Sequence, residues 1–89
     1  MRAWPSEHAV SRRVGDRLVL IHLQTNQIYE LNETSARLWE LLNESADVSL
    51  AEQQLFEEFE VDRTRLAAEI ESTVSALTAA RLLTRHDVG

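Results

Sequence analysis

Few residues in this sequence have the type and spacing that catalysis or metal binding requires. The histidines His8, His22 and His86 are 14 and 64 residues apart, and neither interval is one that pairs metal ligands within an element. Acid pairs such as Glu57-Glu58 and Glu69-Glu71 could in principle act as general acid and base. On a helix, however, neighbours at i+1 or i+2 point apart. We therefore predict no catalytic residue, no metal site and no cofactor.

Motifs for nucleophilic or phosphate chemistry are missing as well. The chain has no cysteine, and its two glycines are too few to build a glycine-rich loop around a phosphate. No nucleophile elbow or Cys–His set occurs. The sequence thus predicts a binding protein and not an enzyme.

The length of 89 residues allows one core, so we expect a single domain over residues 1–89 with a core from about 9 to 84 and frayed termini. Apolar residues make up 44% of the chain, which is typical of a globular protein. Residues 1–5 lack the apolar run of a signal peptide, and the longest apolar stretch, residues 18–21, is too short to span a membrane. We expect a soluble, cytoplasmic protein with no membrane partner.

The formal net charge of −6 is unevenly distributed. Residues 33–89 contain five Arg against twelve acids, and residues 44–62 contain seven acids and no cation. Such a surface repels a phosphate backbone, so nucleic acid is not expected as a partner. A winged-helix DNA-binding regulator is an alternative, but it would need a cationic recognition helix.

Residues 9–31 have the pattern of strands. A strand over 9–14 precedes Gly15-Asp16, where glycine suits a two-residue hairpin turn. Residues 17–23 form a second strand with apolar residues on both faces, as in a central strand. A third strand covers 27–31. Successive antiparallel strands usually neighbour one another, which gives the order 1-2-3 and makes the third strand an edge.

From Asn32 onward the apolar period becomes helical. Asn32 is the predicted N-cap of a first helix that ends near Asn43, with Ala36, Leu38, Trp39 and Leu42 buried. A capping box at residues 49–52 opens a second helix with Leu55, Phe56 and Phe59 inward. Asp62 caps a third helix, whose stripe is Leu66, Ile70, Val74 and Leu77. Leu82 and Leu83 should return to the core, and the tail beyond them should fray. The predicted fold is α+β and winged-helix-like: a three-stranded antiparallel sheet followed by three helices.

The run Ile28-Tyr29-Glu30-Leu31-Asn32-Glu33-Thr34, continued by Ser35-Ala36-Arg37-Leu38-Trp39-Glu40-Leu41-Leu42, resembles the signature of the PqqD-like family. These proteins are recognition elements for ribosomally made, modified peptides. The stretch from Phe59 to Asp62 and the helix ending at Leu82-Leu83 are similar to the family's second half. One departure is the segment 44–47, which stands where members often have an Asp-Gly turn.

The resemblance implies that the protein binds the leader segment of a precursor peptide as an added strand, between the third strand and the third helix. It would then present the precursor to a processing enzyme. Free-standing members serve leader peptidases of lasso-peptide pathways or radical SAM enzymes of quinone-cofactor synthesis, and the lasso-type role is the one favoured here.

The strand pattern agrees with this implied mode of binding. An edge strand without Pro or Lys leaves its main-chain groups available to an extended peptide. We expect Tyr29 and Leu31 to face mainly the core and Ile28 to touch the peptide. On the third helix, periodicity leaves two flanks of the buried stripe open: Glu69, Thr73, Ala76 and Ala80, or Ala67 and Glu71. The predicted peptide-binding residues are Asn26, Gln27, Ile28, Tyr29, Glu30, Leu31, Glu69, Ile70, Thr73, Ala76 and Leu77. A protein–protein scaffold or dimerisation module that uses the same edge is the alternative.

Overall fold

The computed structural model describes residues 1–86. These residues form five strands and three helices, and the fold is α+β as predicted. Their order and bounds are β1 (Arg2–Pro5), β2 (Ala9–Val14), β3 (Arg17–His22), β4 (Ile28–Leu31), α1 (Glu33–Glu44), α2 (Val48–Glu58), α3 (Arg63–Ala79) and β5 (Leu83–His86).

The three predicted strands are β2, β3 and β4, and they form an antiparallel sheet in the order β2-β3-β4. Gly15 takes a φ of +64° at the first of the two residues between β2 and β3, where this kind of hairpin turn needs glycine. β3 is the central strand, and its residues alternate between buried and more exposed positions. β4 lies at one edge, so the predicted strand order is confirmed.

The helices begin at side-chain caps. Asn32 accepts a hydrogen bond from the backbone N–H of Ser35, and Asp62 accepts one from Arg65, as expected of N-caps. The buried stripes predicted for α1 and α3 are confirmed residue by residue.

The second helix differs from the prediction in two ways. Its N-cap is Asp47 and not Ser49, because the Asp47 carboxylate accepts from the N–H groups of both Ser49 and Leu50 and so starts the helix at Val48. Leu55 is buried and Phe59 packs partly against the core, but the prediction that Phe56 faces inward is wrong. The Phe56 ring lies outside the core, with the Arg63 guanidinium 4.2 Å from its centroid.

Residues 2–5 pair with residues 83–86, near the end of the described chain, and sequence reasoning missed this pairing. β1 and β5 form an antiparallel two-stranded sheet in which Arg2 pairs with His86 and Trp4 with Thr84. Leu82 and Leu83 are buried as predicted, but residues 84–86 form β5 and do not fray; the rest of the predicted frayed tail lies outside the described residues. β1 also contacts the segment between α1 and α2, since the Ala3 N–H donates to the Ala46 carbonyl at 2.9 Å.

The core lies between the inner face of the β2-β3-β4 sheet and the three helices. Its most completely buried side chains are Leu20, Leu38, Leu55, Leu66, Leu82, His22 and Val74. His22 is a satisfied core histidine: its Nδ1 accepts from the N–H groups of Gln24 and Thr25, at 3.2 and 3.3 Å, and so stabilises the turn that leads into β4. Within residues 1–86, no helix has the length and hydropathy that crossing a membrane requires.

Candidate functional site

The outer edge of β4 is unpaired within the part of the chain that the structure describes. β3 occupies the other side of β4, in a register that pairs Leu20 with Tyr29 and Ile21 with Ile28. No described strand lies beyond β4. The edge is therefore a row of main-chain donors and acceptors that an additional strand could pair with.

The hydrogen bonds around His22 show which residues of β4 direct their main-chain groups to this edge. The His22 N–H donates to the Gln27 carbonyl at 2.9 Å, so these two residues are a hydrogen-bonded pair. In an antiparallel ladder such pairs alternate with pairs that share no hydrogen bond. Tyr29 and Leu31 therefore bond to β3, whereas the N–H and C=O groups of Ile28 and Glu30 point to the open edge.

A second contact supports this assignment from the other side of β3. The Leu23 N–H donates to the His8 carbonyl at 2.9 Å, so residue 23, like residues 21 and 19 before it, bonds toward β2. The residues of β3 between them then bond toward β4, which is the same alternation.

The side chains of β4 divide between the two faces of the sheet. Leu31 is buried and Tyr29 is half-buried against the core, whereas Glu30 is exposed and Ile28 is 66% exposed on the opposite face. Asn26 and Gln27 are exposed in the preceding turn, where Asn26 takes a φ of +60°. Asparagine tolerates this left-handed conformation better than most residues.

The corner after β4 connects the strand to two helices through polar side chains. Asn32 caps α1 with its Oδ1, while its Nδ2 donates to Glu69 Oε1 of α3 at 3.4 Å. One turn further along both helices, the hydroxyl groups of Ser35 and Thr73 lie 3.2 Å apart in a hydrogen bond. These contacts place the flank of α3 that carries Glu69 and Thr73 beside the end of β4.

The other flank of α3 faces a different part of the molecule. Glu71 Oε1 accepts from Arg85 Nη1 of β5 at 2.9 Å, so the flank with Ala67 and Glu71 lies toward the β1–β5 sheet. Of the remaining predicted site residues, Ala76 is exposed, while Ile70 and Leu77 are buried in the core, as is Ala80. Ile70 and Leu77 therefore support the surface from beneath. We name the surface formed by Ile28–Leu31, Glu69, Thr73 and Ala76 the β4–α3 surface.

Several charged side chains of the sheet form ion pairs with other residues of the chain. Arg17 of β3 donates to Glu30 of β4, and this hydrogen bond raises the pKa of the Arg17 guanidinium. At the other edge of the sheet, Arg13 contacts Glu40 at 3.5 Å, and Glu40 also lies 3.6 Å from Arg37.

Arg37 also donates to both carboxylate oxygens of Glu58, at 2.8 and 3.0 Å. These hydrogen bonds, with one from Gln54, lower the pKa of Glu58 to about 2. Within residues 1–86, no group of three His, Cys, Asp or Glu side chains is arranged to hold a metal ion.

Two solved structures share this architecture nearly from end to end. TbiB1 in complex with the TbiA(beta) leader peptide is 28% identical, with a TM-score of 0.85 over 96% of this chain and 99% of that one. Lasso peptide synthetase B1 complexed with the leader peptide is 20% identical, with a TM-score of 0.83 over 96% of this chain and 100% of that one; at this identity the likeness concerns the fold alone. No curated protein is significantly similar to the chain.

Residues 17–83 match the family model described as coenzyme PQQ synthesis protein D. The match begins at the first residue of β3 and ends at the first residue of β5, so it includes β4, the Asn32 corner and all three helices. It also includes the segment 28–42 whose residues resemble the family signature. The chain therefore belongs to the PqqD family.

Proposed function

We propose that this protein binds the leader segment of a ribosomally made precursor peptide as an extra strand on β4 and presents the precursor to a processing enzyme. The observation that carries the proposal is the open edge of β4, where Ile28 and Glu30 each offer a main-chain donor and acceptor. The likeness to TbiB1, whose structure contains a leader peptide, supports the same role.

The β4–α3 surface gives the two faces of the guest strand different surroundings. Side chains of the peptide that point inward would lie beside Tyr29 and Leu31 and against Thr73 and Ala76 of α3. Those small residues leave room for apolar side chains. Side chains that point outward would lie beside Ile28 and Glu30 on the far face of the sheet. Ile28 thus touches the peptide on the face that is turned away from α3.

Apolar side chains of the peptide are expected to contribute more to affinity than its hydrogen bonds do. A main-chain hydrogen bond contributes about 0.5–1.5 kcal/mol net, whereas burying one large apolar side chain contributes about 1.5–3 kcal/mol. The peptide also loses conformational freedom when it binds. We therefore expect recognition to depend on a few apolar residues spaced two apart in the leader.

The protein acts as an adaptor in this proposal, and the chemistry belongs to the enzyme that receives the precursor. A leader peptidase, as in lasso-peptide pathways, is the enzyme we favour, and a radical SAM enzyme is the other kind of recipient. Neither role asks this chain for a cofactor.

The test is a titration of a fluorescently labelled leader peptide, encoded beside this gene, followed by anisotropy. We expect saturable binding, and its absence below about 100 μM would contradict the proposal. Amide hydrogen exchange by NMR gives the second readout. Bound peptide should slow exchange at Ile28 and Glu30, whose N–H groups face the open edge, and leave Ser11 and Arg13 on β2 unchanged. Protection that depends on protein concentration without peptide would instead indicate a dimer formed through β4.

A further inference from the structure

The face of the β2-β3-β4 sheet that is turned away from the helices is rich in apolar side chains. Val10, Ile21 and Ile28 form one row across the three strands, and Val19 lies between Arg12 and Glu30 in the next. We name this the outer sheet face, formed by Val10, Arg12, Val14, Arg17, Val19, Ile21, Leu23, Ile28 and Glu30.

The exposure of this face distinguishes it from the rest of the sheet. Val10, Val14, Leu23 and Ile28 are 41, 57, 59 and 66% exposed, and Val19 and Ile21 of the central strand are half-buried. On the inner face, Leu18, Leu20 and Leu31 are all buried. Single exposed apolar residues are ordinary, but a contiguous set aligned across three strands is typical of an interaction surface.

The charges on the outer sheet face indicate what kind of partner fits it. Arg12 is exposed and has no ion-pair partner among residues 1–86, whereas Arg17 is neutralised by Glu30. A complementary surface would be apolar, with a carboxylate placed to meet Arg12. A second copy of the chain fits poorly, because each copy carries a formal charge of −6 and the one carboxylate of the outer sheet face, Glu30, is already paired with Arg17.

The outer sheet face is continuous with the edge that we propose for the leader peptide. Ile28 and Glu30 contribute side chains to this face, and their main-chain groups point to the open edge. A guest strand on β4 would therefore widen the face by one strand. A protein docked there would touch the sheet and the peptide together, on the side that the helices leave open.

We propose that the outer sheet face is the docking surface for the enzyme that processes the precursor, through an apolar patch bordered by carboxylates; this inference rests on the proposed peptide binding. In this proposal, one small sheet carries two separate binding surfaces. The edge of β4 holds the peptide, and the outer face recruits the enzyme.

The test replaces two apolar residues of β2, which β3 separates from the peptide. The double variant Val10→Asp, Val14→Asp introduces like charge opposite an acidic border. The probes are the labelled leader peptide and the leader peptidase encoded beside the precursor, with precursor cleavage as the readout. We expect the peptide Kd to stay within about twofold, while the protein concentration needed for half-maximal cleavage rises at least about tenfold.

The control is Leu50→Asp on α2, which places the same charge at an apolar residue that is 56% exposed and distant in sequence from the sheet. It should change neither readout. Cleavage by the double variant at wild-type concentrations would overturn the docking proposal, as would a wild-type dimer in light scattering that the double variant abolishes. Failure of the wild-type protein to bind the leader peptide would instead contradict the proposed function itself.

Discussion

The two edges of the β2-β3-β4 sheet are alike in backbone and differ in what surrounds them. Because β2 bonds to β3 through residues 8, 10, 12 and 14, Ser11 and Arg13 direct their main-chain groups outward, as Ile28 and Glu30 do on β4. Beside β2, however, Arg13 pairs with Glu40 across the cleft next to α1. Beside the end of β4, Asn32 contacts Glu69 of α3, and Thr73 lies one helical turn further along α3.

We therefore expect the peptide to bind beside β4 and not beside β2, although both edges have unpaired main-chain groups. Charged side chains on an edge strand are a common way to prevent another strand from adding to it. β2 has two consecutive arginines, Arg12 and Arg13, whereas β4 has no cation of its own. A guest strand on β2 would meet the Arg13–Glu40 ion pair, whereas we expect one on β4 to meet the small side chains of Thr73 and Ala76. The predictions below test this contrast, beginning with the largest expected effect.

A proline at each edge compares the two strands directly. Ile28→Pro removes an outward donor and puts a ring where the guest strand would lie. Peptide binding should therefore weaken on the order of 100-fold, which corresponds to about 2.8 kcal/mol. Ser11→Pro removes an outward donor from β2 and should leave the affinity unchanged. Neither change removes a hydrogen bond to β3. Anisotropy titration measures both, with thermal unfolding to verify the fold. Equal losses of peptide affinity in the two variants, or no loss in either, would contradict the proposed difference between the β2 and β4 edges.

Filling the α3 side of the site should have the next largest effect. Ala76→Leu adds a branched side chain to the β4–α3 surface without harming helix propensity, and should weaken peptide binding about tenfold through overpacking. Ala67→Leu is the matched control, because 67 and 76 are nine residues apart and so lie on opposite sides of the helix. Weaker binding by the Ala67 variant alone would assign the peptide to the other flank.

The carboxylate of Glu69 should contribute a smaller amount. Glu69→Gln keeps an acceptor for Asn32 Nδ2 but removes the charge, so a leader with a cation nearby should bind about two- to fivefold more weakly at low salt. Glu71→Gln on the opposite flank should have no effect on affinity. Titrations at two salt concentrations measure both variants. A loss that persists at high salt would indicate that the charge is not the cause.

The ion pairs near β2 should affect stability and not peptide binding. Because hydrogen bonds from Arg37 lower the pKa of Glu58 to about 2 from a usual value of 4.5, the stabilisation is complete above pH 4.5 and is lost as the pH falls through 2. Arg37→Gln should therefore lower the Tm at pH 6, and the difference from wild type should shrink as the pH falls from 4.5 toward 2. The peptide Kd of this variant at pH 7 should match that of the wild type. A higher Kd would indicate that the ion pairs near β2 influence peptide binding at β4.

Sequence patterns predicted the elements that have a clear apolar period. The stripes of α1 and α3 predicted which helix faces turn inward, and the continuous apolar run of β3 predicted a central strand. The β1–β5 sheet was missed because each of its strands has four residues, too few for a period, and because their pairing joins opposite ends of the chain. Phe56 was misplaced because a contact with Arg63 offers its ring an alternative to the core.

The candidate site could be predicted only in part for a similar reason. The edge position of β4 follows from the order of the strands, but periodicity could not choose between the flanks of α3. That choice depends on the contacts of Asn32 with Glu69 and of Ser35 with Thr73, which join residues 37 and 38 positions apart. The assignment of Ile28 and Glu30 to the open edge likewise required the hydrogen bonds at His22 and Leu23.

The two contacts of Asn32 explain why a carboxamide suits this corner. Its oxygen holds the first turn of α1, and its nitrogen reaches the carboxylate of Glu69, so one side chain fixes the spacing between a strand end and two helices. Aspartate would supply the oxygen but repel the carboxylate, and serine is too short to serve both. Asn32 of the Leu-Asn-Glu-Thr sequence thus helps to set the distance between the end of β4 and α3, which is the distance across the proposed peptide site. It does so even though Asn32 need not touch the peptide.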